Sequence, residues 1–237
     1  MTPDELARAL AELGHARKAV QRPAAERLAA AARADAAVRA AIAARLASTD
    51  ARERWGAAYA LAHVEPAPRD AMPALLDALS SSDGDVRWAA ARLVVSAIRH
   101  EPGLAALVPP LVAATSPLQR KMALYCLRDL AAAVAVDGTG IAAALGDVDP
   151  AVRMAALAAA LAVLPRTADL AERIATLLDD GEPGVRRVAA VTLGQLGVAT
   201  PAVTGRLDAA TSSDDPTLAK TARDALSRLG ASTSAAR

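Results

Sequence analysis

The segment DPAVRMAALAAALAVL, residues 149–164, decides the fold. An acid followed by proline opens it, the signature of a helix cap and first turn. Apolar residues then recur three and four apart, the spacing of one helix face. Its arginine, Arg153, is one of five set 33 residues apart: Arg54, Arg87, Arg120, Arg153 and Arg186. One further step each way falls on Gln21 and Ala219. Three residues after this zero position stand Ala24, Ala57, Ala90, Ala123, Ala156, Ala189 and Ala222, an unbroken column. Seven after it come Leu28, Leu61, Val94, Leu127, Ala160, Leu193 and Leu226. Twelve before it stand Ile42, Leu75, Val108, Ile141, Ile174 and Leu207, all aliphatic. A period of this length marks a repeat architecture.

Turn chemistry separates the two halves of each unit. Four residues before zero are Asp50, Asp83, Ser116, Asp149, Glu182 and Asp215, and the last four of these precede a proline. Each unit therefore reads as a first helix, a short turn and a capped second helix. Neither helix can bury its apolar stripe alone, so stacked neighbours must supply the core.

Composition agrees. The chain is alanine-rich and 54% hydrophobic, yet it has no Phe, two Trp and two Tyr. Small side chains let helices approach closely, and alanine is the best helix former. A net charge of +1, with signs interspersed, argues against a chain devoted to nucleic acid. The single cysteine, Cys126, excludes an internal disulfide and a multi-cysteine metal site, and fits a reducing compartment. The opening MTPDELARALAELG reads as an amphipathic helix rather than a signal sequence, and no apolar run approaches the ~18–20 residues of a membrane span. A soluble, cytoplasmic protein is expected.

The segments DPAVRMAALAAALAVL (149–164), DGDVRWAAARLVV (83–95) and EPGVRRVAAVTLGQLG (182–197) resemble HEAT repeats of the bilin-lyase-like subtype, over essentially the whole chain. Ankyrin repeats share the period, but their TPLHxA signature is missing; tetratricopeptide repeats use about 34 residues and another aromatic pattern. The resemblance implies an all-α, right-handed α-solenoid of stacked antiparallel helical hairpins, with the second helices lining a concave surface. It also implies a structural ladder in which Arg54, Arg87, Arg120, Arg153 and Arg186 pair with the aspartate column of Asp50, Asp83, Asp149 and Asp215. Function is not implied, because the family serves many unrelated roles.

The repeat divides the chain into an irregular N-terminal cap (1–34), six repeats (about 35–66, 67–99, 100–132, 133–165, 166–198 and 199–230) and a frayed tail (231–237), one domain without a linker. Pro23 falls where a second helix should run, which makes the cap irregular. Pro109-Pro110 sits inside the first helix of the third repeat and should shorten or kink it.

At about 100° per residue, positions one, five and eight after zero point away from the core columns. All four aromatics fall in two of these columns: Trp55 and Trp88 in one, Tyr59 and Tyr125 in the other. Arg92, Lys121 and Arg128 stand among them. On the concave surface that the resemblance implies, Trp55, Tyr59, Trp88, Arg92, Lys121, Tyr125 and Arg128 form one aromatic and basic patch. Large aromatics and arginine dominate binding hot spots, and aromatics beside cations can stack on bases or cradle an anion.

Catalytic patterns are thin. His15, His63 and His100 are scattered without an HExxH motif, and His100-Glu101 is the sole His-Glu pair, where di-iron hydroxylases built on HEAT repeats carry several. No metal or other cofactor is expected. Cys126 reads as a small core residue. Serines occupy loops and caps without a nucleophile elbow, and Gly138, Gly140 and Gly181 read as hinge and cap residues. The expected function is a non-catalytic scaffold holding a protein or peptide segment in its groove. Two alternatives stand beside it. One is a bilin lyase-like or enzyme-assembly accessory protein. The other is a HEAT-like alkylpurine DNA glycosylase, distantly echoed by Trp55, Trp88, Tyr125, Arg92 and Arg128, but with Asp224 and the neighbouring Asp129 as its only acids near that face.

Overall fold

The residues that precede each second helix act as their chemistry requires. In the computed structural model, which describes residues 1–64 and 69–235, the carboxylates of Asp50, Asp83, Asp149 and Asp215 each accept from backbone N–H groups two or three residues ahead. The hydroxyl of Ser116 accepts from Gln119. Glu182 occupies the cap without such a bond. Five of these caps satisfy amide donors that would otherwise be orphaned at a helix start.

The described residues form thirteen α-helices and short 3-10 turns, with no strand. In chain order these are α1 (Pro3–Glu12), α2 (Lys18–Ala32), α3 (Ala36–Ala44), α4 (Ala51–Ala62), α5 (Met72–Ala78), α6 (Gly84–His100) and α7 (Pro117–Leu130). They continue as α8 (Thr139–Ala144), α9 (Pro150–Val163), α10 (Ala168–Thr176), α11 (Pro183–Leu196), α12 (Pro201–Ala210) and α13 (Pro216–Ala235). The helices group into two compact units, one from Met1–Leu111 with Ala132–Val134, the other from Val112–Ala131 with residues from Ala135 onward. Within the first, hairpins α1–α2, α3–α4 and α5–α6 stack through α2, α4 and α6. Within the second, α7, α9, α11 and α13 stack in succession, and α8, α10 and α12 pair with the last three.

The alanine column lies at these stacking seams. All seven members, from Ala24 to Ala222, are 0% exposed. A methyl group there is the largest side chain that keeps neighbouring second helices in close contact. The column twelve before zero is buried as completely, from Ile42 to Leu207. The core of each unit is thus a layer of large aliphatics from the hairpins, bounded by small residues where hairpins meet.

Three local expectations are revised, and one falls outside the described residues. Helix α2 runs through Pro23, which removes only the one backbone bond otherwise made to the Ala19 carbonyl near the helix start. The first helix of the third repeat is replaced by 3-10 turns, Pro102–Leu107 and Pro109–Ala113, because consecutive prolines cannot donate to an α-helical ladder. The tail expected to fray from residue 231 continues α13 to Ala235. The boundary between the first two repeats, at residues 66 and 67, lies outside the described residues, as do 236–237. Two glycines are structurally required. Gly56 lets α4 pass against the backbone of Leu13, where a β-carbon would collide with the Leu13 carbonyl. Gly197 closes α11 at φ +75°, a left-handed conformation.

Candidate functional site

The arginine column has a constant task and a variable one. In each of the five repeats that carry it, one guanidinium nitrogen donates back to the loop carbonyl six residues earlier: Arg54 to Ser48, Arg87 to Ser81, Arg120 to Ala114, Arg153 to Asp147 and Arg186 to Asp180. This clamps the turn before the second helix. At Gln21, which replaces arginine, the side-chain amide donates to the carbonyls of Leu13 and Arg52.

The variable task is the rung to the next repeat, and here the ladder is corrected. Arg120 binds Asp147 through two nitrogens at 2.7 and 2.8 Å, and Arg153 binds Asp180 at 2.6 Å. Arg54 reaches Asp77 at 2.8 Å. The partners are therefore not Asp50, Asp83 or Asp149. Those carboxylates are committed to helix capping, and the geometry of a cap turns them toward their own backbone. Asp83 meets a cation, but it is Lys18 of α2 at 2.7 Å, and Asp215 meets Arg187 at 2.7 Å. Hydrogen bonding to Arg120 holds the Asp147 carboxyl below its usual range against the opposing effect of burial. For Asp180 burial is the larger single influence, upward, but Arg153 and the Glu182 amide together pull it down.

The aromatic face divides between the two units. In the first, Trp55, Tyr59 and His63 form a column one helical turn apart along α4. Ring centroids lie 5.4 Å apart for Trp55–Tyr59 and 4.4 Å for Tyr59–His63. His63, absent from the sequence-based patch, could have been found from this four-residue spacing. Trp55 departs from expectation: it is only 8% exposed. The turn joining α1 to α2 closes over the start of α4, with Gly14 against Glu53 and Leu13 against Gly56. The first repeat's outward face is thus covered by the cap. Trp88 on α6 is 48% exposed, and Arg92, one turn further on, is exposed as well. In the second unit Lys121 and Tyr125 on α7 are half-buried, and the Arg128 guanidinium lies 4.8 Å from the centre of the Tyr125 ring while pairing with Asp129 at 2.8 Å.

A polar cleft of about 650 Å³ opens in the first unit beside the buried tryptophan. His15, Lys18, Arg52, Arg54, Asp77 and Asp83 line it above Trp55. Its charges are mutually engaged: Lys18 spans Asp83 and Asp85, and Arg54 holds Asp77. Among the described residues no group of three His, Cys, Asp or Glu side chains is placed to hold a metal ion. Cys126 is buried, and burial pushes its thiol up to about 12. No helix among the described residues is long and apolar enough to cross a membrane.

No protein-family model matches the sequence, and no curated protein does. Solved structures do. A HEAT-like repeats protein from the archaeon Thermococcus onnurineus NA1 superposes with a TM-score of 0.58 at 14% identity, covering 98% of this chain and 99% of its own. A designed armadillo repeat protein in complex with the peptide (KR)4 gives 0.51 at 16% identity, covering 79% of this chain and 98% of its own. An engineered protein gives 0.53 at 22% identity, covering 97% and 68%. The fold is the all-α HEAT-like repeat fold.

Proposed function

We propose that this chain is a non-catalytic interaction scaffold that holds a segment of a partner protein on the outward face of its second helices. The observation that carries the reading is Trp88. A protein with two tryptophans leaves one of them 48% exposed, on the helix face opposite the buried alanine column. Such a ring is the kind of anchor that dominates protein interfaces. Arg92 adds a cation one turn away, and in the second unit Lys121, Tyr125 and Arg128 present the same pairing of aromatic and cation. A flat ring flanked by cations suits an acidic or polar segment. The fold is compatible with this use: the designed armadillo protein of similar fold is held in complex with a peptide, there a basic one.

The test is affinity capture from lysate of the source organism, comparing the native chain with a Trp88→Ala/Arg92→Ala variant of unchanged circular dichroism. The expected result is a prey protein retained by the first and lost by the second. Identical prey from both would refute the assignment of this face.

A further inference from the structure

The rungs between repeats are not all complete, and one of the incomplete ones opens onto a cavity. The residue six before zero in each repeat is Ser48, Ser81, Ala114, Asp147, Asp180 and Ser213. Where it is aspartate, its carboxylate meets the arginine of the preceding repeat, as in Arg120–Asp147 and Arg153–Asp180. The same carboxylate also accepts from the backbone N–H two residues ahead, at Asp149 and at Glu182. One repeat further on, Arg186 stands in the arginine's place and Ser213 in the aspartate's. Ser213 keeps the second bond, accepting from the Asp215 amide at 3.2 Å, but has no carboxylate to give. Among the described residues no acid pairs with Arg186, whose donations go to the carbonyls of Asp180 and Gly181.

A cavity of about 540 Å³ occupies this position. Arg186, Arg206, Ser213 and Gly205 line it, together with Asp179 and Asp180. The two acids are already committed, Asp179 to Arg206 and Asp180 to Arg153. Asp180 also acts on Arg186 through its charge, but its carboxylate is hydrogen-bonded to Arg153 and the Glu182 amide, so Arg186 keeps guanidinium N–H groups without a carboxylate bonded to them. Of the other arginines without a rung aspartate, Arg54 is already satisfied by Asp77, while Arg87 also lacks an acid partner among the described residues and its Nε is buried without a hydrogen bond. The geometry points to a carboxylate-binding site at Arg186, which takes from outside the group that Asp147 and Asp180 supply internally at the two preceding rungs. The cavity has room for the rest of an acidic side chain or a small carboxylic acid, and Gly205 leaves its wall open. A guanidinium recognises a carboxylate through paired N–H donors, as Arg120 does for Asp147. The site belongs to the second unit and Trp88 to the first, and it stands independently of the reading given to that residue.

The melting temperature is measured at constant ionic strength in sodium chloride, in sodium succinate and in an acetylated tetraglutamate peptide. The native chain should show a saturable rise in succinate or peptide over chloride, and the Trp88→Ala variant should show it equally. Ser213→Asp supplies the missing carboxylate and keeps the bond to the Asp215 amide. It should start about 2–4 °C higher and lose the ligand-dependent rise. Arg186→Gln should lose the rise without the higher start. If Arg186→Gln fails to fold, Ser213→Asp decides alone. Saturation at lower peptide than succinate concentration identifies the source as a protein segment, and the reverse identifies a free acid. No rise over chloride in the native chain overturns the proposal, as does an undiminished rise in folded Ser213→Asp.

Discussion

The two tryptophans occupy equivalent positions in successive repeats and have different environments, which makes them a matched pair. Trp55 is buried at the edge of the polar cleft, so Trp55→Ala leaves a cavity and should destabilise by about 3–5 kcal/mol. Trp88→Ala should cost clearly less, about 1–2 kcal/mol, since about half of that ring is already in solvent. Urea denaturation of both variants checks this, and a large loss at position 88 would make that ring core. The rung carboxylates give a pH dependence of definite sign. Asp147 has a folded pKa below its ordinary 3.8, so its contribution is complete above that value and disappears as pH falls through the folded pKa. Asp147→Asn should cost about 2–3 kcal/mol at pH 7 and flatten the acid limb of the stability curve. Native and variant curves of equal steepness below pH 4 would contradict it. Cys126 should resist maleimide at pH 8 in the folded chain and react once the chain is unfolded, because a buried thiol titrating near 12 presents almost no thiolate. Labelling of the folded chain at the unfolded rate would show the thiol to be accessible.

At the scale of elements, the sequence was most legible where one residue type has one structural use. Alanine at a helix seam, aliphatics twelve positions earlier and an acid before a helix each admit a single reading, and the structure places them accordingly. It was less legible where one residue type has several uses. Aspartate both caps helices and pairs with arginine, so residue type alone does not separate the capping column from the pairing acids, Asp147 and Asp180, which stand only two residues before the caps. Burial of Trp55 was hidden for a different reason. Helical periodicity reports the face a residue occupies on its own helix, and the turn that covers Trp55 comes from residues 13–16, outside the repeat pattern. Pro23 is tolerated inside α2 because a proline close to a helix start removes little. The C-terminal glycine of α11 gives a test at this scale. Gly197→Ala places a β-carbon in a left-handed conformation and should lower stability by about 1 kcal/mol, read from the denaturation midpoint. An unchanged midpoint would mean the helix end re-forms without strain.

For the molecule as a whole, the division into two units predicts where damage stays. Gly56→Ala forces α4 away from the Leu13 backbone, with a cost of about 1–3 kcal/mol typical of overpacking. Hydrogen exchange should then show faster opening across α1 to α5, with amides of α9, α11 and α13 retaining native protection. Uniform loss across the chain would show that the units open together. The proposed function belongs to this scale too: the start of α4 has its outward face covered, whereas α6 leaves Trp88 exposed on the corresponding face.

The most direct test of that face is photo-crosslinking in cells of the source organism. Benzoylphenylalanine is placed at position 88 on α6 or, as control, at the exposed position 40 on α3. Position 88 should yield a discrete adduct with a partner protein, weakened by Arg92→Ala, while position 40 yields none. No adduct at 88, or the same adduct at both positions, would contradict the interaction role assigned to the exposed second helices.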